Sequence, residues 1–143
     1  MSLDARQSCL KAACLFVIGF GLFCLTATMT GTAGVARVFT DLAFWPLDGA
    51  PLTPSTDAGL LWGILGGCLV GWGLLLWQVV TRLYLREPGL ARRMIAISIM
   101  SWFLIDGIGS TLAGAPMNVV LNLFFLVIFI APLIGQQKAA AAA

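Results

Sequence analysis

An all-α membrane protein of four transmembrane helices, N-in and C-in, is the fold class that three features of this 143-residue chain predict. Long apolar stretches fill most of the sequence. Hydrophobic residues make up 60% of it and charged ones 10%, where a soluble domain is closer to half apolar and a quarter charged. Lys and Arg gather on one side of the topology that four crossings imply. Mean hydropathy is +1.00.

The stretches cover residues 12–30, 59–81, 94–113 and 117–135. A helix rising about 1.5 Å per residue needs roughly 20 residues to cross a 30 Å hydrocarbon core, so all four can span. The spans lie too close together for a separate soluble domain, and a single domain over residues 1–138 is expected. The terminal Ala139 to Ala143 reads as a tag remnant or an unassigned tail.

Arg6 and Lys11 precede the first span, Arg82, Arg86, Arg92 and Arg93 fill the second connection, and Lys138 follows the last span. Only Arg37 falls on the other side. Short cytoplasmic loops hold Lys and Arg in excess, which puts both termini and the Arg82 to Arg93 loop inside. The localisation this implies is multi-pass in a bacterial inner, cytoplasmic membrane. A net charge of +2 without a basic face excludes nucleic acid as a partner.

Span one is rich in Phe and Leu and ends in Thr26, Thr28, Thr30, Gly31 and Thr32. A cleaved secretory signal has the same outline, with Gly31-Thr32-Ala33 as the small-residue site. Because the chain starts at Met1 and continues through this stretch, a retained helix is expected. The outer loop follows, and in it Val35, Val38, Phe39, Leu42 and Trp45 recur at the spacing of one helical face. A short interfacial amphipathic helix in the first outer loop accounts for them. It ends at Phe44-Trp45-Pro46-Leu47-Asp48-Gly49-Ala50-Pro51, where prolines and a glycine make a rigid surface cap or a substrate lid.

In span two, Gly63, Gly67 and Gly71 recur every fourth residue and form a smooth groove that another helix can approach closely, either of the same chain or of another subunit. Trp45, Trp62 and Trp77 suit the membrane interfaces as anchors, while Trp72 lies deeper and packs against protein or lipid. The inner loop breaks at Glu87-Pro88-Gly89. Cys9, Cys14, Cys24 and Cys68 contain no Cys-x-x-Cys, and those inside spans are expected to pack as small hydrophobes. Without histidine the chain lacks the usual axial ligand for haem and a His-based metal triad. No cofactor, metal or catalytic residue is expected.

Spans three and four hold the polar residues with chemical potential. Asp106 and Ser110 stand four apart on one helix, and Asn118 and Asn122 four apart on the next, so each pair shares a face. A tight hairpin centred near Gly114 brings position 106 level with 122, and 110 level with 118. The four then form an intramembrane ladder. An acid about 10 Å below a helix end is expensive unless paired. The cluster is therefore either a clamp that closes the hairpin or a relay for a proton or cation.

Phe44-Trp45-Pro46-Leu47-Asp48-Gly49-Ala50-Pro51, Val70-Gly71-Trp72-Gly73 and the stretch from Asp106 through Gly114-Ala115-Pro116 to Asn118 resemble a group of short, uncharacterised bacterial four-helix integral membrane proteins. The resemblance implies the fold and attaches no activity. Two functions fit these residues. The first is a non-catalytic accessory or scaffolding subunit, partnered by the bilayer and by other membrane subunits or by its own kind through the second span. The second is a small oligomeric transporter or channel with Asp106 as its coupling group.

Overall fold

The computed structural model describes residues 1–29, 33–49 and 56–134, without the side chains of 33, 35, 56 and 57. Gly31 and Thr32 of the signal-like small-residue site, the end of the proline-rich cap, Lys138 and the alanine tail lie outside the described residues. Among those described, all regular structure is helical: α1 Leu3–Thr26, α2 Ala33–Phe44, α3 Thr56–Gln78, α4 Pro88–Leu112 and α5 Pro116–Ile130. Four helical segments are long and apolar enough to cross a membrane: Leu3–Thr26, Ala58–Leu83, Pro88–Leu112 and Pro116–Leu133. The short α2 lies between the first two.

The helices outrun the apolar stretches for local reasons. Ser2 caps α1 by accepting from the Ala5 amide at 3.2 Å, and Asp4 in the first turn suits the positive end of the helix dipole. Arg6 and Lys11 are consequently helical. At the other end α1 stops at Thr26, whose hydroxyl donates to the Phe23 carbonyl at 2.7 Å; the threonine-rich run beyond it is a poor helix former. Pro88 opens α4 at the position where its missing amide costs nothing.

One end of the bundle gathers the start of α1, the end of α5 and the α3–α4 connection. Arg6 donates to the carbonyls of Pro132, at 2.8 Å, and Ile134, placing a cation at the negative end of the last helix. Beside it α3 passes into a π-helical turn, Val79–Leu83. Buried Gln7 donates from Nε2 to the Val80 carbonyl there at 2.8 Å. We call this the basic end. The opposite, hairpin end carries α2 and the α4–α5 turn.

Helix α1 packs most closely on α3. A Cβ added at Gly66 would stand 2.7 Å from the Gly21 carbonyl oxygen, and one at Gly21 would stand 2.8 Å from that of Gly66. Two glycines thus let the backbones touch, and Gly73 does the same against Ile18. The groove of Gly63, Gly67 and Gly71, expected to meet a helix of this chain or of another subunit, is not the face that α1 uses. Gly63 only meets Thr28 at ordinary contact distance, and nothing lies within 4 Å of Gly67 or Gly71. Those two face away from α1, on the side of α3 that carries exposed Leu60, Ile64 and Leu74. Gly66 and Gly73 stand seven residues apart, two helical turns, so both faces carry glycines in helical register and spacing alone could not say which one the chain would use.

The buried face of α2 is rotated in the same manner. Ala36 and Ala43 are buried with Phe39 half-buried between them, whereas Val38 is 64% exposed and Trp45, just past the helix end, 56%. Ala36 and Ala43 seat α2 on the bundle beside Phe39, Leu42 is half-buried, and Val38 and Trp45 point outward. Phe39 meets Phe20 of α1 and the edge of Trp62 of α3, with ring centroids 5.5 and 6.2 Å apart. Trp62 and Trp77 are half-buried against the core. Cys14 and Cys24 are fully buried, whereas Cys68, inside the second span, is exposed and does not pack within the described residues; Cys9, ahead of the first span, is exposed as well.

Candidate functional site

The α4–α5 turn sets the register of everything above it. Helix α4 ends with Gly114 at φ +78°, a conformation open to glycine. The Gly114 amide donates to Thr111 and the Ala115 amide to Ser110, at 3.1 and 2.9 Å, the paired bonds of a Schellman stop. Pro116 then begins α5 at once. With a connection this short the two helices must run back alongside each other.

All four residues of the expected ladder meet. Asp106 Oδ2 accepts from the Ser110 hydroxyl at 3.3 Å, from Asn118 Nδ2 at 3.2 Å and from Asn122 Nδ2. The Asn118 amide also donates to Ser110 Oγ at 2.8 Å. Each donor is thereby oriented toward one carboxylate oxygen. Asn122 is 6% exposed; Asp106, Ser110 and Asn118 are half-buried. Asp106 stands six residues before the end of α4, about 9 Å along its axis.

Asp106 and Ser110 continue the inward stripe of α4, formed by Ala91, Ile95, Ile99 and Trp102. Along that stripe Ile95 and Ile99 are fully buried and Trp102 is half-buried. Trp102 stacks at a tilt on Trp72 of α3 and on Phe125 of α5, both with centroids 5.6 Å apart. Trp72 Nε1 donates to Ser98 Oγ at 2.7 Å. This α3–α4 bond escaped the sequence reading, although an indole mid-span needs an acceptor and Ser98 offered one. Beyond it toward the hairpin end, Leu61, Leu65 and Cys68 on the Trp72 flank of α3 are exposed.

The chain matches no known family model, no curated protein and no solved structure. Among the described residues no three His, Cys, Asp or Glu side chains group in a way that could hold a metal ion. What the cluster can do chemically follows from its donors and acceptors. It holds two helices in register through one oxygen of Asp106, and it presents further oxygens that take no hydrogen bond from the described residues.

Proposed function

We propose that this protein is a non-catalytic accessory or scaffolding subunit of a larger membrane assembly. In this reading four helices cross a bacterial cytoplasmic membrane with both termini and the arginine-rich α3–α4 connection inside, and α2 lies in the outer interface. The face of α3 bearing Gly67 and Gly71 carries the proposal. The chain's own close contact uses Gly21, Gly66 and Gly73, which leaves two small residues one turn apart on an outward face. Between helices in lipid, close approach and van der Waals packing supply association, so that face suits a helix of another subunit. The polar residues of the spans serve the fold, since three donors tie Asp106 into the hairpin.

Purification in mild detergent tests this. Unrelated membrane chains should travel with the wild-type protein, and Gly67→Leu should release them without lowering the unfolding midpoint of the chain itself. If Gly67→Leu leaves the composition and size of the purified particle unchanged, the scaffolding reading fails. A bare homodimer would favour the second function, a small transporter or channel coupled through Asp106. What supports that alternative is that one oxygen of this acid is engaged by no group among the described residues.

A further inference from the structure

A groove of about 490 Å³ runs between α1 and α5 from the basic end toward the middle of the bundle. Buried Ala13 and Pro132 make its floor, and exposed Ala12 and Ala131 its rims. Alanine reaches no further than Cβ, so no side chain among the described residues fills it. At the inner end the rings of Phe16 and Phe124 meet edge to face, with centroids 5.2 Å apart. Apart from Cys9 the lining is apolar.

The mouth carries a charge. Arg6 lies one turn before Cys9 on α1, and its Nη1 donates to the carbonyl of Pro132 in the floor at 2.8 Å. Nη1 also donates to the Ile134 carbonyl, and Nε to the Met1 carbonyl at 3.2 Å. Every bond of this guanidinium therefore goes to backbone, and no acid among the described residues pairs with it. Of its five N–H groups the two on Nη2 are left over. Arg82, Arg86, Arg92 and Arg93 share this end of the bundle with the acids Asp4 and Glu87, so positive charge is in excess there.

Length decides what kind of anion fits. Arg6 and Phe16 are ten residues apart, about 15 Å of helix, which is half of a hydrocarbon core about 30 Å thick. That is the depth of one leaflet. We propose that the groove binds a single phospholipid of net negative charge, one of whose acyl chains lies between α1 and α5 as far as Phe16 and Phe124. Its phosphate accepts from Arg6 Nη2 in a charge-assisted pair, as basic pockets between spans hold anionic headgroups on the cytoplasmic side. A zwitterionic headgroup brings a further cation to an end that already has an excess, and binds less well. The inference rests on the helices crossing a bilayer and not on the scaffolding role. Lipid binding by the purified chain and the sidedness of the chain in cells are separate measurements, so either can fail alone.

Native mass spectrometry on the full chain, as it purifies in mild detergent, tests the proposal by titration with dioleoylphosphatidylglycerol and with dioleoylphosphatidylcholine. One molecule of phosphatidylglycerol should bind at least fivefold more tightly than phosphatidylcholine, whose chains are the same. Arg6→Gln should remove that preference, whereas Arg86→Gln, an equal loss of charge on the α3–α4 connection, should keep it. Ala12→Trp fills the groove from its exposed rim without touching a charge. It should weaken phosphatidylglycerol fivefold or more, and it serves if Arg6→Gln does not fold. Equal affinity for the two lipids, or affinity unchanged in Arg6→Gln and Ala12→Trp, would overturn the proposal. So would an equal effect of Arg86→Gln and Arg6→Gln, which would mean diffuse attraction to the basic end. Displacement of the lipid by millimolar glycerol phosphate would assign Arg6 to a soluble phosphate and overturn it too.

Discussion

Replacing Asp106 separates a hydrogen-bonded clamp from an incidental acid, because two substitutions of similar size act oppositely on the same three donors. In Asp106→Leu the amides of Asn118 and Asn122 and the Ser110 hydroxyl lose their common acceptor. Ser110 lies on the same helix and can turn its hydroxyl to its own backbone, so the loss falls on the two interhelical bonds. Such bonds in membranes contribute about 0.6 kcal/mol on average and about 1.7 at most, which puts the cost near 1–3 kcal/mol for the pair. Asp106→Asn retains one oxygen as acceptor and should cost less than about 1 kcal/mol. Reversible unfolding in mixed micelles, with far-UV circular dichroism as readout, measures both. A cycle combining Asp106→Leu with Asn122→Leu should show the two losses to be less than additive by about 0.5 kcal/mol or more. If Leu and Asn at position 106 destabilise equally, or if the cycle closes with no coupling, the clamp is not what holds the hairpin.

Three further outcomes follow from contacts elsewhere. Gly66→Ala drives a Cβ into the Gly21 carbonyl oxygen 2.7 Å away, and overpacking of that kind should cost about 1–3 kcal/mol, whereas Gly67→Ala, with open space around it, should leave the unfolding midpoint unmoved. Gly114→Ala must adopt φ near +78° and should lose about 1–2 kcal/mol in the same unfolding assay, a penalty absent from Gly109→Ala within α4. Gln7→Leu removes the donor from the Val80 carbonyl at the π-helical turn and should cost about 1–3 kcal/mol as the orphaned acceptor stays buried, with faster amide exchange at Tyr84 as a local marker.

The polar ladder was legible because its geometry is arithmetic. Spacings of four place Asp106 with Ser110 and Asn118 with Asn122, and Gly114 followed by Pro116 leaves one way to fold the pair together. The packing face of α3 was not. Gly63, Gly67 and Gly71 and the pair Gly66 and Gly73 are interleaved on one helix, and only the position of Gly21 on α1 selects between them. Likewise in α2 the larger side chains mark a face by periodicity, yet Ala36 and Ala43 admit the closer approach and are the ones buried. In lipid, size of the apolar residue decides the inward face more than hydrophobicity does. Helix ends were missed because Ser2, Asp4 and Pro88 extend α1 and α4 into charged sequence that an apolar window cannot register.

The central claim is a bundle that crosses the membrane four times with its basic end inside, and side-specific reporter fusions in living cells test it most directly. Fusions placed after Lys138 and next to Asp48 in the α2–α3 connection should report opposite sides, the first cytoplasmic and the second external, because Arg6, Lys11, Arg82, Arg86, Arg92 and Arg93 lie in the segments that the excess of Lys and Arg would keep inside. Both reporters on the same side, or the first external and the second cytoplasmic, would contradict it.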